Sequence, residues 1–339
     1  MHSNRHTTEK APTKLVGALS EIGRSPQETH AITYSGTTST AEYNIAIGTT
    51  ALDAITVGDN NVAVGFDTLS AHLEGSNNTA VGSRALQSSN GGNNNTSVGY
   101  QALKSLTNGA SHTAVGSQAL FKVTGANSNT AVGRKALYEN TSGEYNIAVG
   151  DQALDTNTTG SYNTVIGNEA DVSANNLTNA TAIGNGASVS ASNKIRLGNT
   201  SVTSIEGQVA FSSSSDRRLK KDITNTKYGL QTILELVPVD YQLKSNDLFQ
   251  VGFIAQDLKS LVPEAVTGIE GDLEKGETLG VNYTSLIPVL TKAIQEQQAL
   301  IKGQNKINQE QQALIKGQNK VIQQLQKDMT ILKQKVGMD

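Results

Sequence analysis

Residues 78–94 read NTAVGSRALQSSNGGNN, and the fold of about half of the chain follows from this stretch because it recurs. The glycine that closes the N-x-A-V-G motif returns every 17 residues without a slip, at nine positions: Gly48, Gly65, Gly82, Gly99, Gly116, Gly133, Gly150, Gly167 and Gly184. A fixed period of this size is the signature of a solenoid, in which each structural unit contacts only its neighbours.

Each repeat combines a strand-like motif with an Ala-Leu pair three and four residues after the glycine, as at Ala85-Leu86. Such a unit holds about two short strands and too few apolar atoms to fold alone, so its Val, Ile and Leu side chains must stack on those of the next unit. The Asn that opens the motif is expected to form a hydrogen-bonded amide ladder. Proline, which breaks a parallel stack, is absent between Pro26 and Pro238.

The sequence therefore predicts a parallel β-roll or β-solenoid over residues 44–211. It resembles the head repeat of trimeric surface adhesins, in which three chains pack side by side. Nine coils at ~4.8 Å each give a rod on the order of 43 Å. After Gly184 the next glycine of this kind is Gly198, fourteen residues on, and residues 195–210 are expected to close the rod.

Composition supports an elongated protein. The 339 residues are 36% hydrophobic and 4% aromatic and include 32 Gly, which argues against a large globular core. The net charge of -3 and the lack of a basic patch interleaved with aromatics argue against nucleic acid as a partner. No cysteine is present, the five His show no ligand spacing, and no phosphate-binding glycine motif is found, so we expect no disulfide, metal or cofactor.

The repeats end at residues 211–223, FSSSSDRRLKKDI, where four serines meet a cluster of charges. Ser215 and Lys220 lie five residues apart in this junction. A serine hydroxyl becomes a nucleophile when a base takes its proton, and a lysine serves as that base only when burial or neighbouring cations lower its pKa. Two arginines and Lys221 supply such neighbours. Spacing alone leaves a solvated charged linker as the alternative.

Residues 212 to about 294 resemble the intramolecular chaperone domain that ends many phage tailspikes, endosialidases and tail fibres. The resemblance rests on these motifs: Ser215-Asp216-x-Arg218-Leu219-Lys220-x-x-Ile223, Gly252-Phe253-Ile254-Ala255-Gln256, Pro263-Glu264-Ala265-Val266 and Val281-Asn282-Tyr283. Asn282 departs from the family, where Asp is frequent at this position. The departure does not touch the Ser-Lys pair.

The resemblance implies that this domain trimerises the fibre and then cuts itself off between Ser214 and Ser215. Ser215 and Lys220 would carry the reaction, with Asp216 as a candidate auxiliary residue. The activity is then that of a self-cleaving serine endopeptidase with a single turnover. We expect no other catalytic activity, because no paired carboxylates lie in a glycosidase-like setting.

The segment after the junction reads as a small α+β domain. Residues 228–236 are helix-like, residues 237–243 and 249–255 strand-like, and residues 256–261 form a short helix that Pro263 stops. A core of this size is marginal for a monomer, which favours an oligomer.

Residues 287–336 follow a heptad pattern that predicts a coiled coil. Position a holds Ile287, Ile294, Ile301, Asn308, Ile315, Ile322, Met329 and Val336, and position d holds Leu290, Gln297, Gln304, Gln311, Gln318, Leu325 and Leu332. Ile-rich a positions, polar d positions and a second apolar stripe suit three strands better than two. Gly303 and Gly317 each cost roughly 1 kcal/mol in a helix. A trimerisation helix that is released after assembly can tolerate this loss of stability. A permanent structural coiled coil is the alternative.

Residues 1–43 are polar, and their one apolar run, residues 15–19, is too short for a signal peptide or a membrane span. We expect no export signal and no membrane insertion. Two interpretations stay open: a disordered tail, or a docking segment that binds other virion tail or baseplate proteins.

We therefore predict a homotrimeric phage tail fibre or tailspike for host attachment, assembled in the host cytoplasm and located in the virion. Its expected segments are an attachment region (1–43), a β-roll (44–211), an autoprocessing chaperone (212–290) and a coiled coil (291–339). A host cell-surface receptor is the further expected partner.

Two other functions stay open. A bacterial trimeric adhesin with an uncleaved coiled coil fits the repeats, but it needs an export signal and a membrane-anchoring end, which we do not expect in a chain that starts MHSNRH and finishes KVGMD. An ice- or polysaccharide-binding solenoid would use the threonine column of the repeats, which Ile45, Val62 and Ile147 interrupt.

Overall fold

The computed structural model describes residues 40–209, 212–244, 247–273 and 277–337. Residues 1–39, which include nearly all of the expected attachment region, lie outside the described residues. The chain divides into two compact units, with the boundary between Asn127 and Ser128.

The first unit, residues 40–127, is a stack of coils with one short strand in each. The strands are β1 (Ile45–Ile47), β2 (Val62–Val64), β3 (Thr79–Val81), β4 (Thr96–Val98) and β5 (Thr113–Val115). Each of β1 to β4 pairs in parallel with the strand 17 residues later, so that Ala63 lies opposite Ala80. The register follows the sequence repeat without a shift.

The second unit begins with the same coil. Its strands are β6 (Thr130–Val132), β7 (Ile147–Val149), β8 (Thr164–Ile166), β10 (Thr181–Ile183) and β12 (Ile195–Leu197) in one parallel sheet, and β9 (Asp171–Val172) with β11 (Ser188–Val189) in a second. Thr181 pairs with Ile195, which is the predicted change to a spacing of fourteen residues. The predicted parallel β-solenoid, of about nine turns in all, is confirmed.

The Ala-Leu pair of the repeat forms a turn where a second strand was expected. Ala85 N donates to Gly82 O at 3.2 Å, and Leu86 adopts a φ of +51° while its side chain is fully buried. A left-handed residue costs roughly 1–2 kcal/mol, which the burial of a leucine side chain, worth about 1.5–3 kcal/mol, offsets. The expectation of about two strands per coil is therefore wrong for the coils of β1 to β7 as the structure describes them.

The asparagine at the start of each motif bonds its coil to the next one. Asn78 Oδ1 accepts from the backbone N of Asn95 at 2.9 Å, and Asn78 Nδ2 donates to Gly92 O at 2.8 Å. The same two kinds of bond recur at Asn44, Asn61, Asn95, Asn129, Asn146 and Asn163. The ladder thus joins amide to backbone, and a direct amide–amide bond of 3.0 Å links Asn78 to Asn61.

The remainder of the second unit is a small α+β region followed by one long helix. Its elements are α1 (Leu230–Glu235), β13 (Val239–Gln242), β14 (Phe249–Gly252), α2 (Ala255–Leu261), β15 (Val266–Gly268), β16 (Leu279–Val281) and α3 (Ile287–Val336). Both hairpins, β13–β14 and β15–β16, are antiparallel. The helices and strands predicted for this region are confirmed, with ends that differ by up to three residues.

A compact cluster of apolar side chains holds the α+β region to the start of α3. Leu258, Val262, Ala265, Leu286 and Val289 are buried in it. Farther along α3 the apolar side chains are exposed, as expected for a coiled-coil strand seen without its partners. The predicted trimer remains a prediction.

In the part of the chain that the structure describes, no helix has both the length and the apolarity to cross a membrane.

Gly82→Ala is expected to destabilise the solenoid by more than about 2 kcal/mol, because Gly82 has a φ of +126° and its new Cβ would lie 2.7 Å from Gly99 O. Gly125→Ala is the matched control, since a Cβ there meets no atom within 4 Å. Thermal unfolding of the two variants measures the difference. Equal losses in both would contradict backbone contact as the reason for the periodic glycine.

The carboxyl group of Asp171, at the start of β9, should make the stability of the folded chain depend on pH. Burial raises its pKa to about 7, and the neighbouring Asp155 adds to the shift. Because the ordinary pKa is 3.8, the folded chain holds the extra proton between these values. The stability that this group contributes is thus present below about pH 4 and is lost as the pH rises to about 7.

Asp171→Asn removes this loss while it keeps an acceptor for the backbone N of Val172, which Asp171 Oδ1 bonds at 2.8 Å. We expect the variant to be more stable than wild type at pH 8, by on the order of 2 kcal/mol, and equally stable at pH 4. Chemical denaturation at the two pH values tests this. A gain of the same size at both would exclude the titration of Asp171 as its cause.

Candidate functional site

The predicted dyad lies on a single tight turn. The turn is a 3-10 helix, Arg217–Leu219, and Asp216 is its N-cap: Asp216 Oδ1 accepts from the backbone N of Arg218 at 2.8 Å. The backbone N of Lys220 donates to Arg217 O at 3.1 Å, which closes the turn. The chain therefore reverses direction between the residues on either side of the turn, Ser215 and Lys220.

This reversal brings the two predicted catalytic side chains together. Lys220 Nζ donates to Ser215 Oγ at 2.6 Å, and both residues are exposed in the single chain. Two residues five positions apart need not meet. Here the 3-10 turn between Ser215 and Lys220 brings their side chains into contact. The contact has the distance that a general base needs to a nucleophile. Ser214, the other residue of the expected cleavage site, is exposed beside them.

Asp216 is tied to Arg218 as well as to the turn. Arg218 Nη2 lies 2.7 Å from Asp216 Oδ2, and Arg218 Nε lies 3.1 Å from Asp216 Oδ1. These hydrogen bonds hold the pKa of Asp216 below its usual value and raise the pKa of Arg218. Of the cations that we expected beside Lys220, Arg218 is thus already paired with a carboxylate.

Two of the motifs downstream of the predicted dyad contact each other within the α+β region. Tyr283 Oη accepts from the backbone N of Phe253 at 3.2 Å, and the two rings lie with centroids 6.2 Å apart. A Cβ at Gly252 would collide with the same Tyr283 hydroxyl, so a larger residue there would displace the Tyr283 side chain. The motif around Gly252 and the motif around Tyr283 therefore specify one contact.

Glu264, in the motif that begins at Pro263, contacts the segment that follows the predicted dyad. Tyr228 Oη donates to Glu264 Oε2 at 2.6 Å, and Lys227 Nζ lies 3.9 Å from the same carboxylate. The hydrogen bond from Tyr228, with a smaller contribution from Lys227, lowers the pKa of Glu264. The contact holds the chain between the 3-10 turn and α1 against the start of β15.

Sequence reasoning missed Glu296, which lies in the first turns of α3. Its Oε2 accepts from the backbone N of Leu230 at 2.7 Å and so caps the beginning of α1, and its carboxylate occupies the space that a Cβ of Gly229 would need. A glycine before a helix that lacks a capping side chain was the available signal. It shows that a cap is needed but does not identify the residue that supplies it.

Comparison with known proteins agrees with the resemblance seen in the sequence. Residues 215–267 match the model of the Peptidase_S74 family, described as chaperone of endosialidase. No curated protein and no solved structure matches the chain. The family match begins at Ser215 and covers less than a sixth of the chain. It includes the predicted dyad and the α+β region as far as β15, and it does not include the solenoid.

The match and the solenoid together fit a phage tailspike or fibre with a C-terminal chaperone domain. The family implies self-cleaving peptidase activity in general, and it suggests a multimeric fibre associated with the virion.

Proposed function

We propose that this protein is a host-attachment fibre or tailspike whose C-terminal part assembles three chains and then releases itself by a cut between Ser214 and Ser215. The observation that supports the proposal best is the 2.6 Å hydrogen bond between Lys220 and Ser215, at the first residue of the family match. The proposed segments are the attachment region (1–43), the β-roll (44–211), the chaperone (212–290) and the coiled coil (291–339).

In the proposed reaction the neutral amine of Lys220 takes the proton of Ser215 Oγ as that oxygen attacks the carbonyl carbon of Ser214. The bond between this carbon and the Ser215 nitrogen breaks, an ester to Ser215 Oγ forms, and Lys220 gives the proton to the departing amine. Water then hydrolyses the ester, which leaves a carboxylate on Ser214 and restores the hydroxyl of Ser215. The cut is made once, because enzyme and substrate are the same chain.

Asp216 acts in this scheme as a support. It caps the turn and pairs with Arg218, so it fixes the path of the backbone between the nucleophile and the base. It takes no proton in any step. This is a more specific role than the auxiliary one inferred from the sequence.

The trimer is proposed from the unpartnered apolar face of α3. Ile301 and Ile315 are 46% and 53% exposed in the single chain, and apolar residues recur at the same heptad positions along the helix. A stripe of this length is covered in a stable protein, and Ile at position a with Gln at position d suits three strands. The remaining proposed partners are other virion tail or baseplate proteins, bound by residues 1–43, and a receptor on the host cell.

Purified protein is expected to give two fragments of roughly 23 and 13 kDa, by residue share of 35.7 kDa, with Ser215 as the new N-terminus. Ser215→Ala and Lys220→Ala should each leave an uncut chain, because they remove the nucleophile and the base. Lys221→Ala is the control and should be cut. Denaturing gels and N-terminal sequencing of the smaller fragment measure the outcome.

An uncut wild-type chain would refute self-cleavage and favour the adhesin with a permanent coiled coil. A new N-terminus at Asp216 would place the scissile bond after Ser215 and refute the mechanism given above. Cutting that is lost in Lys221→Ala and retained in Lys220→Ala would show that the wrong lysine is assigned as base.

Cleavage should also depend on assembly. A lysine serves as a base only where desolvation or crowding by cations lowers its pKa, and three copies around one axis would supply both to Lys220. Ile301→Lys combined with Ile315→Lys places like charges in the proposed seam, and we expect an uncut monomer. Ala299→Lys with Ala313→Lys adds the same charges at the same spacing outside the seam and should leave a cut trimer. Sedimentation and gels are read together, and efficient cutting of a monomer would refute the dependence.

A further inference from the structure

One surface column of the solenoid departs from its own pattern. It is formed by the residue directly before each strand-opening motif, all with positive φ: Tyr43, Asn60, Asn77, Asn94 and Ser111 in the first unit, and Ser128, Tyr145, Tyr162, Asn179 and Asn193 in the second. We call it the turn column. Asn tolerates a left-handed backbone well, whereas a bulky aromatic residue there is a genuine outlier. Tyr145 and Tyr162 are two such residues in succession.

The two tyrosines form a pair on the surface. Their rings are parallel within 6°, with centroids 5.0 Å apart, and the side chains are 48% and 59% exposed. The backbone N of Tyr162 donates to Glu144 O at 3.0 Å, which holds the two coils together directly beside the rings. The pair therefore contributes little to the interior of the solenoid.

Polar groups continue the line of the rings. The next member of the column, Asn179, donates from Nδ2 to Asn193 Oδ1 at 2.9 Å, and both asparagines are exposed. At the other end of the pair the preceding member is Ser128, whose side chain is too short to cover a tyrosine ring. Two stacked phenol rings and two amides thus lie on one strip of surface.

Packing against further copies of this chain does not account for the pair. A self-association face built from identical coils would be apolar in every coil, and the turn column is Asn or Ser at its other positions in the second unit. The apolar columns of the sheet run through other positions, such as Val132, Val149 and Ile166. Most members of the column are exposed in the single chain. Because Tyr145 and Tyr162 are exposed and have a strained backbone, we infer that they serve in ligand binding and not in stabilising the fold.

We propose that Tyr145 and Tyr162, with the adjacent Asn179, bind an uncharged glycan. The C–H face of a pyranose ring packs on an exposed aromatic ring, and its hydroxyls bond amide groups. The net charge of -3 disfavours a polyanion as the ligand. This names a ligand class for the attachment role proposed above and rests on it for its biological meaning. It does not involve the self-cleavage.

The test uses the purified protein and a variant that the repeat itself supplies. Tyr145→Asn with Tyr162→Asn installs the usual residue of the turn column, so the coils should fold and their melting temperature should stay equal or rise. Tyr43→Asn is the matched control, because Tyr43 also has positive φ and is exposed, and the residue one coil on, Asn60, gives it no aromatic partner. The probe is an array of defined neutral and acidic bacterial surface glycans, followed by titration of the glycans that bind.

Wild type is expected to bind at least one neutral glycan, the double variant to bind it at least about tenfold more weakly, and Tyr43→Asn to bind as wild type does. Three results would overturn the proposal. They are an array on which wild type binds no neutral glycan, equal affinity in the double variant, and a lower melting temperature or altered oligomeric state in the double variant, which would assign the pair to packing. All three can be read whether or not the chain cuts itself.

Discussion

The close contact of backbone on backbone between successive coils is the constraint from which the rest of the solenoid follows. A unit of 17 residues has few apolar atoms, so its stability comes from bonds to its neighbours. Asn78 shows how dense these bonds are, since one buried side chain joins both Asn95 and Gly92. That spacing leaves no room for a Cβ at Gly82, and the tight turn behind it forces Leu86 into a left-handed conformation.

A structure held together in this way is hard to begin and stable once complete. A single coil has nothing to stack on, so ordering the first coil costs chain entropy before hydrogen bonds to a second coil can stabilise it. A small domain that gathers three chains would lower that cost, and its job ends when the coils are in place. This gives a physical reason why a glycine-containing helix and the proposed self-cleaving junction would follow a solenoid in one chain.

Features with a strict period or a local motif were predictable from the sequence. The parallel coils, the fourteen-residue step after β10 and the helix from Ile287 belong to this class. Features that depend on which residue meets which in space were not: the cap that Glu296 gives to α1, the turn in place of a second strand, and the raised pKa of Asp171. For the dyad, the sequence predicted the two residues, and only the turn capped by Asp216 shows how they meet.

The two functions proposed for this chain depend on the solenoid in opposite ways. The Ser215–Lys220 contact is local and needs no coil to form, but its proposed activity needs the burial that only assembled chains supply. The Tyr145–Tyr162 pair needs the coils to set its spacing, because two rings in one column meet only when the backbone repeats in register. The positions of the turn column lie outside the amide ladder, so their side chains can change while the bonds between coils stay the same. A repeat of this kind therefore separates the residues that make it stable from those with which it can recognise a ligand.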